Sequence, residues 1–315
     1  MLAASRQRRA AVPQRAADHA VGQAQPAVCE RRGARARTTL LPRISVTGVT
    51  MTQPNGSNLL IVAPTGHHFA QFHRDTEGQD RRRDTLTESA LAFIEAGLRR
   101  GDSVVVIAGA EQRDRLFERL AAGEFRPQSL RDPGQLSVLD AEQITAQFGD
   151  EPEWAPFRNA LAPLLSRLRP SGRGTRVYSE MANALWQAGN TAAAIQIEDY
   201  WNALARTYPF SVYCGYTMDT QSPQAYAGPL EELGRTHSDI LAAPEDEEFG
   251  MALDRASKEI FGISLTQMAG VTRQEGARRF PTGQRAMLWV KRNLPLSSTQ
   301  LAEKARQYFR DSRAP

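Results

Sequence analysis

The chain has 315 residues, of which 41% are hydrophobic, 23% charged and 7% aromatic, and its formal net charge is +4. This composition is typical of a globular protein with one large or two modest domains, and no apolar run approaches the ~18 residues that cross a bilayer. Because Cys29 and Cys214 are its only cysteines, the chain lacks the residues for a disulfide framework or a cysteine-rich zinc site. We therefore expect no membrane segment and a reducing, cytoplasmic location.

The positive charge is concentrated at the start of the chain. Residues 1–50 contain nine arginines and two acids, a net +7, which leaves about −3 for the rest. The segment 1–57 has no helical or strand periodicity and too little apolar surface to fold, so we expect it to be disordered. Met51 opens a polar segment, and we interpret the leader as a translation-start artefact. The alternatives are a transit peptide and a nucleic-acid-binding arm.

After the leader, short apolar runs alternate with amphipathic segments, a pattern typical of βα units around a mostly parallel sheet. The unbroken apolar run at 104–107 indicates a strand buried on both faces. Strands are predicted at residues 59–63, 69–72, 103–108, 136–139, 176–179 and 210–216. The fold class is therefore α/β, with a mostly parallel sheet flanked by helices.

Helices are predicted between the strands and again after the loop 217–229. Apolar residues at helical spacing place them at about 87–99 and 111–122, after the Asp140/Gln143 capping pair, from Trp154 to Leu168, and around residues 197–204. Three more are predicted near 246–261, 284–292 and 298–310. The chain thus divides into the leader, an α/β domain at 58–243 and a small helical appendage at 244–315.

The sequence lacks the residues of a phosphate-binding loop. A Walker A motif needs a lysine, and no lysine precedes Lys258. The arginines at 81–83 have no flanking glycines and are interpreted as a solvated turn. We therefore expect no catalysis. An ATPase that uses arginine in place of the lysine is the remaining enzymatic alternative.

Three histidines near the first strands raise the question of a metal site. No carboxylate or cysteine at ligand spacing completes a set with His67, His68 and His73, so no metal site is expected. The five-residue offset places His68 and His73 on opposite faces of a regular strand. Cys214 lies in an apolar strand and is interpreted as a small core residue.

A carboxylate and two tryptophans follow the later strands. Glu180 stands at the carboxyl end of a strand, where open α/β sheets bind ligands, although it can equally neutralise a helix N-terminus. Trp186 and Trp201 are more typical of packing than of ligand stacking. Glu198 and Asn202 are four residues apart and can pair along one helix face.

Six stretches of the chain occur in the order found in the MEDS domain, the methanogen/methylotroph DcmR sensory domain of bacterial and archaeal signalling proteins. The combination of S-E-M and L-W with I-E and W-N-x-L carries the resemblance, which covers about 66–243. The stretches are HHFAQFHRD (67–75), FIEAGLRRGDSVVVIAG (93–109), LSVLDAEQITAQF (136–148), RVYSEMANALWQAGN (176–190), IQIEDYWNALARTYPFSVYCGY (195–216) and THSDIL (236–241).

The resemblance implies a RecA/KaiC-like fold that lacks its phosphate loop and works as a sensory module rather than a motor. It implies ligand-binding or signature roles for His68, Phe72, Glu180, Trp186, Glu198, Trp201 and Asn202, with His237 marking the end of the domain. One departure is His73, which stands where relatives commonly have a tyrosine. This imidazole is added to the candidates because it makes pH-sensitive recognition conceivable.

These observations predict a cytoplasmic bacterial signal-transduction protein without catalysis, cofactor or metal. Its α/β domain binds an unknown small ligand or signalling protein, and residues 244–315 relay the bound state. The alternative is a transcription regulator whose basic tail, 273–313, binds DNA; this segment has ten bases and three acids. The same charges are explained if the tail docks on the acidic segment 231–259.

Overall fold

Six parallel strands form the centre of the described structure. The computed structural model describes residues 56–74, 84–131, 134–149, 151–168, 172–271 and 280–312. The strands are β1 His68–His73, β2 Ser103–Ala108, β3 Leu136–Asp140, β4 Thr175–Ser179, β5 Ser211–Thr217 and β6 Asp239–Leu241. Their order in the sheet is β3-β2-β4-β5-β1-β6, and every neighbouring pair is parallel.

Helices cover both faces of this sheet and form the C-terminal region. Before β4 these are α1 Gly56–Val62, α2 Thr85–Arg100, α3 Ala110–Ala122, α4 Pro127–Arg131, α5 Ala141–Thr145 and α6 Trp154–Leu168. After β4 they are α7 Met181–Gln187, α8 Thr191–Ala205, α9 Pro229–Thr236, α10 Pro244–Phe261, α11 Leu265–Val271, α12 Thr282–Asn293 and α13 Pro295–Asp311. A short 3-10 helix, Pro223–Tyr226, precedes α9.

This architecture confirms the predicted α/β class with a parallel sheet and helical C-terminal residues. Every residue of β1, β2 and β4 is buried, as expected for strands covered on both faces. The RecA/KaiC-like character and the boundary at 243/244 stay predictions. Residues 1–55 of the leader and the arginines at 81–83 lie outside the described residues, whereas residues 56–57 begin α1, which corrects the expected disorder at the end of the leader.

The first predicted strand is wrong. Residues 59–63 belong mostly to α1, in which Leu60 is buried whereas Ile61 and Val62 are about half exposed. The last carbonyls of this helix accept hydrogen bonds from the buried guanidinium of Arg176, at 3.1 Å for Leu60 and 2.9 Å for Ile61. A five-residue apolar run is too short for its periodicity to distinguish a strand from a helix, which explains the error.

The region after β5 contains more structure than predicted. The predicted loop 217–229 contains the 3-10 helix, and α9 and β6 follow it directly. Helix α13 begins at Pro295, earlier than predicted, because proline is tolerated in a first helical turn. Among the described residues, no helix combines the length and apolarity required to cross a membrane.

The sheet separates two apolar cores, which define the two faces used below. Face A carries Ala70, Phe72 and Cys214, and is packed by residues of α6, α8, α9, α10, α12 and α13. Face B carries Phe69 and Tyr213 and is packed by residues of α1, α2 and α3. The C-terminal helices therefore share a continuous core with face A.

Candidate functional site

A buried group of polar residues lies on face A, between the sheet and α8. It consists of His68 on β1, Glu198 on α8, Cys214 on β5 and His237 between α9 and β6, and we call it the HECH cluster. The exposed fractions are 4%, 0%, 1% and 1%, respectively. Such burial of ionisable groups is costly unless they are paired, so their partners decide what the site can do.

The fold explains why these residues meet. β1 and β5 are neighbours with His68 opposite Val212, so Cys214 lies two positions further along β5 on the same face. Glu198 belongs to the buried stripe of α8 that also carries Ile197 and faces the sheet. The fourth residue, His237, is the C-cap of α9.

The four side chains direct their donor atoms at one point. Glu198 Oε2 lies 2.9 Å from His68 Nε2, 3.3 Å from Cys214 Sγ and 3.6 Å from His237 Nε2. The Cys214 sulfur is 3.5 Å from His68 Nε2. All four donor atoms lie within 4.8 Å of one another, which is compact enough to surround a single ion.

Hydrogen bonds outside the cluster fix the orientation of both imidazoles. Asn202 Nδ2 donates to the Thr236 carbonyl at 2.6 Å, which leaves Asn202 Oδ1 to accept from His68 Nδ1 at 3.0 Å. His237 Nδ1 donates to the Leu233 carbonyl at 2.6 Å. Since each Nδ1 is committed to an oxygen acceptor, both Nε2 atoms face the cluster.

Within the cluster, the pKa values of Glu198 and Cys214 are shifted in opposite directions. Burial raises the pKa of Glu198, but the neighbouring imidazoles of His237 and His68 together hold this pKa well below its usual range. Burial, and then the neighbouring Glu198, raises the pKa of Cys214 well above its usual range. Burial and the charge of His237 lower the pKa of His68. A thiol with a raised pKa is a poor nucleophile.

The HECH cluster was missed from the sequence because its members are spread over 170 positions. The sequence prediction considered only the local spacing of His67, His68 and His73, and the structure separates these three residues. His67 is half-buried and pairs with Asp239 at 2.9 Å, and His73 points to face B. The resemblance singled out His68 and Glu198 and gave His237 as the end of the domain, but nothing in the sequence placed these residues beside one another or beside Cys214.

Asn202 and Glu198 do not act as a simple pair along α8. Each side chain contacts the same imidazole of His68 instead, at Nδ1 and Nε2. The second carboxylate oxygen of Glu198 accepts a short hydrogen bond from the Tyr216 hydroxyl. The residues that the resemblance singled out on α8 therefore converge on His68.

A second polar network, on face B, contains Glu180. Its carboxylate accepts hydrogen bonds from the Tyr178 hydroxyl at 2.7 Å and from the Gly109 backbone N–H at 3.2 Å. Glu180 is the N-cap residue of α7 but makes no side-chain capping hydrogen bond there, and its carboxylate instead lies at the N-terminus of α3, whose N-cap is Gly109. Burial raises the pKa of Glu180 to about 7, against the opposing effect of these hydrogen bonds.

His73 belongs to the same face. Its Nε2 lies 3.1 Å from the Tyr213 hydroxyl and its Nδ1 lies 3.0 Å from Thr85 Oγ1. Tyr213 in turn donates to Gln71 Oε1 at 3.0 Å. Burial lowers the pKa of His73 to about 3, so this imidazole stays neutral at physiological pH and does not support pH-sensitive recognition.

Glu180 and His68 do not share a cleft. His68 lies on face A with Cys214, whereas Glu180 contacts Tyr178, whose ring packs 5.5 Å from that of Tyr213 on face B. The sheet separates the two groups, so these two candidate residues do not belong to one site.

The remaining candidates are aromatic and lie on face A. Phe72 and Trp186 flank the Tyr216 ring, at centroid distances of 5.5 and 6.2 Å. Trp201 packs edge-on against Phe157 at 5.3 Å, and no described residue accepts a hydrogen bond from its indole nitrogen. In these contacts Phe72, Trp186 and Trp201 pack against other aromatic rings. A ligand-binding role for these three residues stays a prediction.

Fold and site together define an α/β protein with a buried polar centre between its sheet and one helix layer. The family model described as MEDS, the methanogen/methylotroph, DcmR sensory domain, matches residues 67–238. The match spans more than half of the chain, so the chain belongs to the MEDS family, and all four residues of the HECH cluster lie inside it. A search of curated proteins found no significant match.

Proposed function

We propose that this chain is a non-catalytic sensory protein whose MEDS domain binds a small ligand at the HECH cluster and relays the bound state to its C-terminal helices. The observation that carries this proposal is the fully buried contact between His68 and Glu198, 2.9 Å apart, in the centre of the sensory domain. A buried contact between an ionisable acid and an imidazole is a poor source of stability compared with apolar residues of the same volume. Its presence in this position favours a functional role.

A direct path of contacts supports the relay. His237 donates to the carbonyl of Leu233 on α9, and Gly234 follows in the same helix. The Phe280 ring, just before α12, lies so close to Gly234 that an added Cβ would stand 2.1 Å from it. A movement of His237 therefore reaches the segment that begins the C-terminal helix pair.

The relay needs two arrangements with different ligand affinities. Ligand binding shifts the population between two states only by its differential affinity for them. Leu230 and Leu233 of α9 belong to the same apolar core of face A as Phe249 and Phe309 of the C-terminal helices, so a displacement of α9 disturbs a core that these helices share. The scheme has no catalytic step, because burial raises the pKa of the Cys214 thiol and no lysine precedes Lys258.

The relay is tested by hydrogen exchange in the full chain. We expect Glu198→Gln to change the exchange of peptides from α12 and α13, because it alters the contacts of His237. The matched control is Asp102→Asn, which removes the carboxylate of the buried Arg176–Asp102 pair at 2.9 Å, far from α9 in the sequence. Equal changes in α12 and α13 for both variants would indicate general destabilisation and contradict the relay.

The DNA-binding alternative depends on the basic residues of 273–313, of which 273–279 and 313 are outside the described part of the chain. Three described cations of this tail pair with acids of the same chain: Arg292 with Glu231 at 2.7 Å, Lys304 with Glu259 at 2.9 Å, and Arg306 with Asp219 at 2.8 Å. These contacts favour docking of the tail within the chain.

A mobility-shift assay of the full chain with duplex DNA at low salt separates the two explanations. We expect no shift. A shift that disappears steeply as salt rises would support the transcription regulator instead.

A further inference from the structure

We propose that the HECH cluster is a binding site for one divalent cation of the zinc class, held by His68 Nε2, Glu198 Oε2, Cys214 Sγ and His237 Nε2. The inference deepens the proposed function by naming the ligand class. The role of the ion as a signal rests on that proposed function, whereas the binding of the ion does not.

The first argument is the geometry of the four donor atoms. Zinc bonds of about 2.0–2.3 Å in a tetrahedral site require ligand atoms about 3.3–3.8 Å apart. Three separations, His237 to Glu198 at 3.6 Å, Cys214 to His68 at 3.5 Å and Cys214 to Glu198 at 3.3 Å, already meet this condition. The His68–Glu198 separation of 2.9 Å needs to open by about 0.5 Å to do so, and the separations from His237 Nε2 to His68 Nε2 and to Cys214 Sγ are within 4.8 Å.

The second argument is the set of hydrogen bonds behind the ligands. A histidine that binds a metal usually donates its other ring N–H to a carbonyl or carboxylate oxygen, which fixes the ring and its tautomer. His68 and His237 both do this, toward Asn202 Oδ1 and the Leu233 carbonyl. Tyr216 holds the other carboxylate oxygen of Glu198, so Oε2 is the one presented.

The third argument is the total charge of the four ligands and the types of their donor atoms. A thiolate, a carboxylate and two neutral imidazoles carry a charge of −2, which one divalent cation balances inside a buried site. Binding converts the Cys214 thiol into a metal thiolate and releases its proton to solvent, so metal affinity rises with pH. The sulfur and nitrogen donors favour zinc over magnesium or calcium, which prefer oxygen ligands.

The fourth argument is where the ligands come from. They belong to β1, α8, β5 and the end of α9, so an ion joins four segments that are far apart in the sequence. Four protein ligands close the site and leave no position for a substrate, in contrast to catalytic zinc sites. An ion held in this way fixes His237 and hence the α9 contact with Phe280.

The test starts from the full chain stripped with a chelator and then titrated with Zn²⁺ or Co²⁺. We expect one ion per chain, and with Co²⁺ the thiolate charge-transfer band and visible bands of a tetrahedral site. Cys214→Ser should abolish the charge-transfer band, whereas Cys29→Ser, at the other cysteine, and His67→Gln, beside the cluster, should retain it. Asn202→Ala should weaken binding about 10–100-fold without removing a ligand.

Circular dichroism of each variant shows whether it is folded, and the Asn202→Ala affinity supplies a second measurement if Cys214→Ser is not. A stripped and folded chain that takes up no ion would overturn the inference, as would a charge-transfer band that persists in Cys214→Ser. Exchange of α12 and α13 then separates the two proposals. Metal binding without any change there refutes the relay but leaves the site, whereas a Glu198→Gln effect without metal binding refutes the site alone.

Discussion

Replacing Glu180 by glutamine should make the protein more stable at alkaline pH relative to the natural chain. Glu180 is only 7% exposed, and its pKa is about 7 in the folded protein against an ordinary value of 4.5. The raised pKa means that the folded state binds a proton more tightly than the unfolded state does. Stability contributed by the protonated acid is therefore fully present below pH 4.5 and is lost as the pH rises to about 7.

The magnitude follows from the two pKa values. At about 1.4 kcal/mol per pH unit, the interval from 4.5 to about 7 corresponds to about 3 kcal/mol of lost stability. Glutamine carries no charge, so Glu180→Gln should escape this loss. It forfeits at most the hydrogen bond from Gly109, worth about 1 kcal/mol, and does so at every pH.

Urea unfolding of both proteins at about pH 4 and about pH 8 measures the effect. We expect the difference in unfolding free energy between variant and natural chain to change by about 3 kcal/mol, in favour of the variant at high pH. Glu118→Gln, an exposed acid on α3, is the matched control and should show little change. Equal pH dependence for the Glu180 variant and the natural chain would refute the argument that this carboxyl is buried with a raised pKa.

Three further predictions concern stability elsewhere in the fold. Asp102→Asn deprives the buried Arg176 of its carboxylate partner and should cost about 3 kcal/mol in urea unfolding, with no change in metal uptake. Asp246→Asn should, like the Glu180 variant, gain relative stability as the pH rises, because burial raises the pKa of Asp246 to about 7; a flat difference across pH would contradict this. Gly234→Ala should lose about 1–3 kcal/mol by collision with the Phe280 ring, and Phe280→Leu in the same chain should recover part of it, measured as a double-mutant cycle.

Strand β2 was predictable because residues 104–107 are apolar at every position. The run at 104–107 is buried on both faces, as expected for a parallel strand whose two faces are covered by helices. The run 59–63 shows the limit of this reasoning, since a helix end with one buried residue has the same composition as a short strand. The end of α1 accepts a hydrogen bond from Arg176, which is distant in the sequence, so the local sequence pattern gives no sign of this contact.

Predicting the HECH cluster requires information on strand order and register that a single sequence does not contain. The alternation of side chains along β1 correctly predicts that His68 and His73 point to opposite faces, and each does contact a different layer. The partner of His68, however, depends on which strand lies beside β1 and in which register. Cys214 comes next to it because β5, distant in the chain, pairs with β1.

Strand β5 contributes one residue to each of the two polar networks, and these residues point to opposite faces of the sheet. Tyr213 points to face B and contacts His73, whereas the next residue, Cys214, points to face A and contacts Glu198. Since the faces are separated by the sheet, the pH dependence of Glu180 and the metal affinity of the HECH cluster should vary independently in the variants described above. A Glu180→Gln chain that had lost its metal affinity would show that the two networks are coupled through β5, and that the sensory site extends across the sheet.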